Sequence, residues 1–398
     1  MLPYHIRQIL ICGYTIFTIF AVGILTATLN YVFSVNINVY LDVYVADFSS
    51  PAILLPIMVI LSPVLTLLYQ KKPDKIMNLS FLVGFVTCVV GLVGFNYNSV
   101  YEIVFLLLGF SVIVTNIFFL SHRLSCLLNK PYLAIFFVGY CFFIMRITMI
   151  LVDYLFKQQI FLSIEYVLLS ISLVFLFMFV VNVFLASNSK KDLKISFKNF
   201  FNKYFIYLIN FFKHEIVLNL CFLFFLNGII HGAISQYITH YISQLDHQAL
   251  DEIFVFEIIM YLVFLLILFI IGFFMKERDI HSLFRIFFIS SVVLCINVIL
   301  VILNDQSYIL NDFLMVDYTW FWIYVFVMLL INYYNSFKSH QLHLMMIVGY
   351  ILYLFGNTFI QWVDMIFVSV KISLYFAIGA IFFMLYMNKI IKKKLFDG

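Results

Sequence analysis

Apolar residues occur along this chain in stretches of about 20, separated by short polar connections. A helix rises 1.5 Å per residue, so about 20 apolar residues cross the roughly 30 Å hydrocarbon core of a bilayer. Twelve stretches meet that length, near 9–31, 51–69, 77–95, 101–121, 131–154, 160–186, 215–238, 253–275, 284–303, 318–337, 341–362 and 366–388. The first exceeds a signal-peptide core and lacks a convincing small-residue cleavage site, so it is read as a span. The connections near 36–47, 96–98, 246–252 and 304–317 carry acids and amides, and none is long enough to fold alone.

Charge then orients the pattern. Of the 23 Lys and Arg, only Arg146, Lys157 and Lys371 lie outside short clusters, and those clusters alternate with pairs of spans. Basic residues are retained in the cytosol, which places both termini and every cluster on that side. The apolar content of 65% against 11% charged residues suits a surface solvated by lipid. The net charge of +4 is therefore a topology signal, and a nucleic-acid partner is not expected. Cys12, Cys88, Cys126, Cys141, Cys221 and Cys295 stand singly in apolar runs, without the spacing of a metal site or disulfide framework. They read as small core residues. The composition and motifs imply no cofactor, no metal and no catalytic residue, and there is no Walker lysine loop for ATP.

The longest inward connection, 188–213, is basic, Phe-rich and amphipathic, as expected of a segment lying along the inner leaflet. It divides the chain into halves at 1–187 and 214–398. Internal repetition agrees. Val138-Gly139-Tyr140 is followed by Thr148 and Asp153 in the fifth span, and Val348-Gly349-Tyr350 by Thr358 and Asp364 in the eleventh. Two parallel six-span repeats are a recurring plan of secondary transporters.

Twelve spans, two inward termini, a basic central linker and about 400 residues resemble the layout of the major facilitator superfamily over essentially the whole chain. The signature that superfamily carries after its second span appears here as Tyr69-Gln70-Lys71-Lys72-Pro73-Asp74-Lys75, which keeps basic residues and one acid but has no glycine. The resemblance implies an all-α integral membrane protein. Its twelve transmembrane helices would form two six-helix bundles related by pseudo-two-fold symmetry about a central cavity.

Ionisable and amide residues inside a bilayer cost several kcal/mol unless they meet a partner or a wet cavity, so they are the candidates for a solute path. Arg146 lies deep in the fifth span with Asp153 one heptad on and on nearly the same face. It either binds an anion or pairs with Asp153 to pin helices. Asn227, His231 and Ser235 recur every four residues on the seventh span beside Gly228 and Gly232. The seventh span lines the cavity in the resembled fold, and an imidazole suits proton coupling. The alternative is an interhelical hydrogen bond with the glycines allowing close approach. Glu257, about one turn inside the outer end of the eighth span, either exchanges a proton or pairs with Arg146 or His231, or else reaches water by itself. Asn357 with Thr358 and Gln361 on the eleventh, and Asn116 with Thr115 on the fourth, are either cavity lining or helix glue. Lys371 is expected to snorkel, with Asp364 as its partner.

These features lead to a monomeric, non-enzymatic secondary transporter of the cytoplasmic membrane. A lone deep arginine with few acids favours a small anionic or zwitterionic organic solute, such as a carboxylate metabolite or siderophore, with proton coupling as an option. The competing expectation is an envelope polysaccharide or lipid-linked glycan flippase or polymerase. A polymerase would carry paired arginines in a long outward loop, and no outward connection here contains arginine.

Overall fold

The computed structural model describes residues 11–25, 73–94, 164–185, 215–242, 280–303, 339–367 and 369–397, with scattered positions between them such as 108–123. All of the long described elements are helices: α1 (Ile11–Leu25), α2 (Pro73–Gly94), α3 (Ile164–Leu185), α4 (Glu215–Ile242), α5 (Ile280–Leu303), α6 (Ser339–Phe367) and α7 (Val370–Asp397). They coincide with the first, third, sixth, seventh, ninth, eleventh and twelfth predicted spans. Four segments are long and apolar enough to cross a bilayer: Asp74–Leu92, Glu165–Val183, Leu218–Tyr237 and Val370–Lys393.

Helix ends differ from the hydropathy boundaries for local reasons. The third span was expected to begin near residue 77, yet α2 starts at Pro73. Proline suits the first helical position because its missing N–H would have no partner there, and Asp74 faces the positive end of the helix dipole. The expected twelfth span stopped near residue 388, but α7 continues to Asp397. Lys389, Lys392 and Lys393 lie on this extension and are exposed.

The chain divides into two compact units: Met1–Phe211 with Lys338–Ile347, and Phe212–Phe337 with Val348–Gly398. In unit 1, α2 packs along α3. Gly84 makes room for Phe175, whose Cδ1 would lie 2.9 Å from a Cβ at that glycine. The Tyr14 hydroxyl donates to the Met178 carbonyl at 3.0 Å, tying α1 to α3. Thr15 and Thr18 donate back to the carbonyls of Ile11 and Tyr14, which satisfies hydroxyls that have no water inside a bilayer. Tyr69 stacks on Phe119 at 4.3 Å and donates to its carbonyl at 3.0 Å.

A polar knot closes one end of unit 1. The Arg123 guanidinium donates to Asn182 Oδ1 at 3.0 Å, lies 3.8 Å from Asp74 and 3.8 Å from Met77 Sδ, and Asn182 in turn donates to Asn78. Sequence placed Arg123 among the basic loop residues and did not single out Asn182; folding joins them to the acid at the start of α2. Asn182 is fully buried, so its hydrogen bonds outweigh the long ion pair. Arg123→Ala is expected to destabilise by about 1–3 kcal/mol, the cost of a buried acceptor without its donor. Asn182→Ala should cost a similar amount, and the double variant little more than either. Thermal unfolding of the four proteins as a double-mutant cycle checks this, and full additivity would dissolve the knot.

In unit 2, α7 packs against both α4 and α5. Phe287, Val298, Ile381 and Met384 are fully buried there. Phe222 and Phe383 meet edge to face at 5.4 Å across α4 and α7.

Candidate functional site

The polar stripe predicted on the seventh span lies on α4, and α6 crosses it at very short range. Two glycines allow this reciprocally. A Cβ at Gly228 would overlap the Tyr353 carbonyl oxygen of α6, and one at Gly356 would overlap the Phe225 carbonyl oxygen of α4. Gly232 extends the seam, since its Cβ would strike Ile360 and lie 2.9 Å from Asn357 Oδ1. Bilayer helices gain most from such backbone proximity, because lipid offers no hydrophobic drive toward association.

The seam brings together residues that the sequence had listed separately. Asn227, fully buried, sits on α4 one turn before His231, and Asn357, 3% exposed, lies on α6 against Gly228 and Gly232. Gln361 Nε2 donates to Asn357 Oδ1 at 3.1 Å, and Thr358 donates to the Leu354 carbonyl at 2.9 Å. His231 is half-buried, with its ring 5.5 Å from that of Tyr353. Tyr350 and Tyr353 stack one turn apart at 6.1 Å. Sequence reading passed over these tyrosines, although Tyr350 belongs to the repeated Val-Gly-Tyr and Tyr353 lies three residues on. Imidazole, amide and phenol groups thus share one stretch of bilayer-depth structure. They can donate and accept hydrogen bonds without carrying a fixed charge.

Asn116 lies in unit 1, 1% exposed, and its Oδ1 finds no hydrogen-bond partner among the described residues. Thr115 beside it donates to the Ser111 carbonyl at 2.7 Å. Arg146, Asp153 and Glu257 fall outside the described residues. Asp364 accepts from Ser373 at 3.4 Å, a partner that the sequence had not suggested, and Lys371 is exposed. Among the described residues no three His, Cys, Asp or Glu side chains come together as a metal-binding group.

Apolar helices of spanning length, joined by glycine contacts and enclosing a seam of buried amides, define a multi-pass α-helical membrane protein. A solved structure described as a bacterial homologue of the iron transporter ferroportin, in its outward-facing state, superposes on this chain with a TM-score of 0.68. The match covers 96% of this chain and 99% of that one at 14% identity. The chain therefore shares the fold of that structure. No protein-family model matches the chain, and no curated protein sequence does.

Proposed function

We propose that this protein is a secondary transporter that carries a small anionic or zwitterionic organic solute across the cytoplasmic membrane by alternating access. Its halves would be residues 1–187 and 214–398, and the basic segment 188–213 would link them on the cytoplasmic side with both termini. The observation that carries the reading is the likeness to a solved transporter structure over 96% of the chain. Arg146 would bind the anionic group, and Asn227, His231 and Asn357 would orient the solute along the α4–α6 seam. Asp153, Glu257 or His231 would take a coupled proton, and Asn116 would face the path from the first half.

A second reading follows from the neighbour being named as an iron transporter. A metal ion would want nitrogen and oxygen ligands, of which His231 and the two amides supply one imidazole and two carbonyls. A carboxylate siderophore would satisfy both readings, since it presents iron inside an anionic organic shell.

The test is uptake by the full chain in proteoliposomes. Labelled carboxylates, a ferric carboxylate chelate and free ferrous ion are supplied with and without an imposed pH gradient. We expect saturable uptake of a carboxylate or its chelate, at least tenfold weaker in His231→Ala despite normal folding. Uptake of the free ion alone would replace the organic solute with the metal. Absence of any uptake, together with movement of a lipid-linked glycan between leaflets, would establish the flippase alternative instead.

A further inference from the structure

Away from the polar seam, α4 and α7 leave an open apolar groove of about 440 Å³ whose lining includes Phe222, Leu226, Ile229, Phe376, Gly379 and Phe383. Gly379 forms its floor, and a Cβ there would meet nothing within 4 Å. Phe222, Phe376 and Phe383 remain 39%, 41% and 43% exposed, so the walls stand open. All six residues fall inside the segments Leu218–Tyr237 and Val370–Lys393 that are fit to cross a bilayer. The groove therefore opens at hydrocarbon depth.

One end of the groove is basic. Gly379, Phe383, Tyr386, Ile390 and Lys393 follow one another at helical spacing on one face of α7, and Lys389 and Lys392 are exposed beside them. The two helices run antiparallel here, because Phe222 meets Phe383 while Ile229 shares the groove with Phe376. The exposed Lys213, just before α4, thus lies toward the same end. Depth also fits. From Lys389 to Gly379 is about 15 Å of helix, half of the roughly 30 Å hydrocarbon core, so a chain anchored at the lysines ends over the glycine.

We propose that this surface is a binding site for an anionic glycerophospholipid. Its phosphate would sit among Lys213, Lys389 and Lys393, and one acyl chain would lie over Gly379 between Phe222 and Phe383. A second copy of the chain fits less well for two reasons. Gly379 is flanked at four-residue spacing by Tyr375 and Phe383 rather than by small residues, so a partner helix cannot approach closely. A two-fold contact along this face would also bring two sets of lysines together. The site is separate from the transport reading and is tested without it.

Native mass spectrometry of the full chain in detergent, supplied with phosphatidylglycerol and phosphatidylcholine of matched acyl chains, provides the readout. Wild type should retain phosphatidylglycerol at least fivefold over phosphatidylcholine. The double substitution Lys389→Gln, Lys393→Gln should bring that ratio near one, and Gly379→Leu, which fills open space, should reduce retention of both lipids. Thermal unfolding should show all variants folded. Equal retention of the two lipids by wild type, or unchanged selectivity in the lysine variant, would overturn the proposal. Disulfide-linked dimers of Gly379→Cys in bilayers would do so too, by giving the groove to a second copy.

Discussion

Gly356→Leu is expected to leave almost no folded protein. A Cβ at this position would overlap the Phe225 carbonyl oxygen and lie 3.0 Å from the Ile229 nitrogen, both backbone atoms of α4. Adding methylenes to a packed core commonly costs about 1–3 kcal/mol when side chains can shift aside. Helical backbone cannot shift in that way, so α4 and α6 would have to separate, and separation would expose Asn227 and Asn357 to hydrocarbon. A loss of at least about 3 kcal/mol follows, visible as collapse of the monodisperse species on size exclusion and a large drop in unfolding temperature. Gly228→Leu should behave alike, because the Tyr353 carbonyl oxygen blocks it from the other side. Gly13→Ala, with nothing within 4 Å of its Cβ, is the matched control and should be nearly silent. A stable, well-behaved Gly356→Leu protein would mean that the two helices do not touch as described.

The second large effect concerns Arg146. A guanidinium deep in a span costs at least about 2.5 kcal/mol unless it is paired or solvated. If it grips an anionic solute, Arg146→Lys keeps the charge but loses the two-pronged geometry, and transport affinity should fall by at least tenfold with normal expression. Removing both members of an Arg146–Asp153 pair would instead leave no buried orphan. An Arg146→Ala, Asp153→Ala double variant that folds and transports would therefore reassign the arginine to structure. One that folds but does not transport would keep it on the solute path.

The division between what sequence reveals and what folding decides is clear at particular residues. Asn227 and His231 were found from a four-residue spacing that any helix turns into one face, and Gly228 and Gly232 beside them already suggested a close neighbour. Which neighbour they meet is a tertiary fact. Asn357 was recognised only as an amide in another span, and it reaches the stripe because Gly356 lets α6 lie directly on α4. Arg123 read as one more topology charge, since its own neighbours in the chain say nothing of Asn182 and Asp74, which lie far away along it.

Length of the apolar runs and position of the charges were enough to establish a helical, multi-pass membrane protein, because both follow from the thickness of the bilayer and the asymmetry of insertion. Burial was not legible. On α3, Leu168, Ile171, Phe175 and Met178 turn inward while Leu169, Leu173, Phe177 and Val180 stay exposed, although the residue types are the same. In water the cost of exposing apolar atoms would mark the inner face of a helix with a polar outer one. Lipid is as apolar as the protein interior, so that mark is missing from the sequence, and only the fit of glycines, aromatic rings and buried amides in three dimensions determines which face is the inner one.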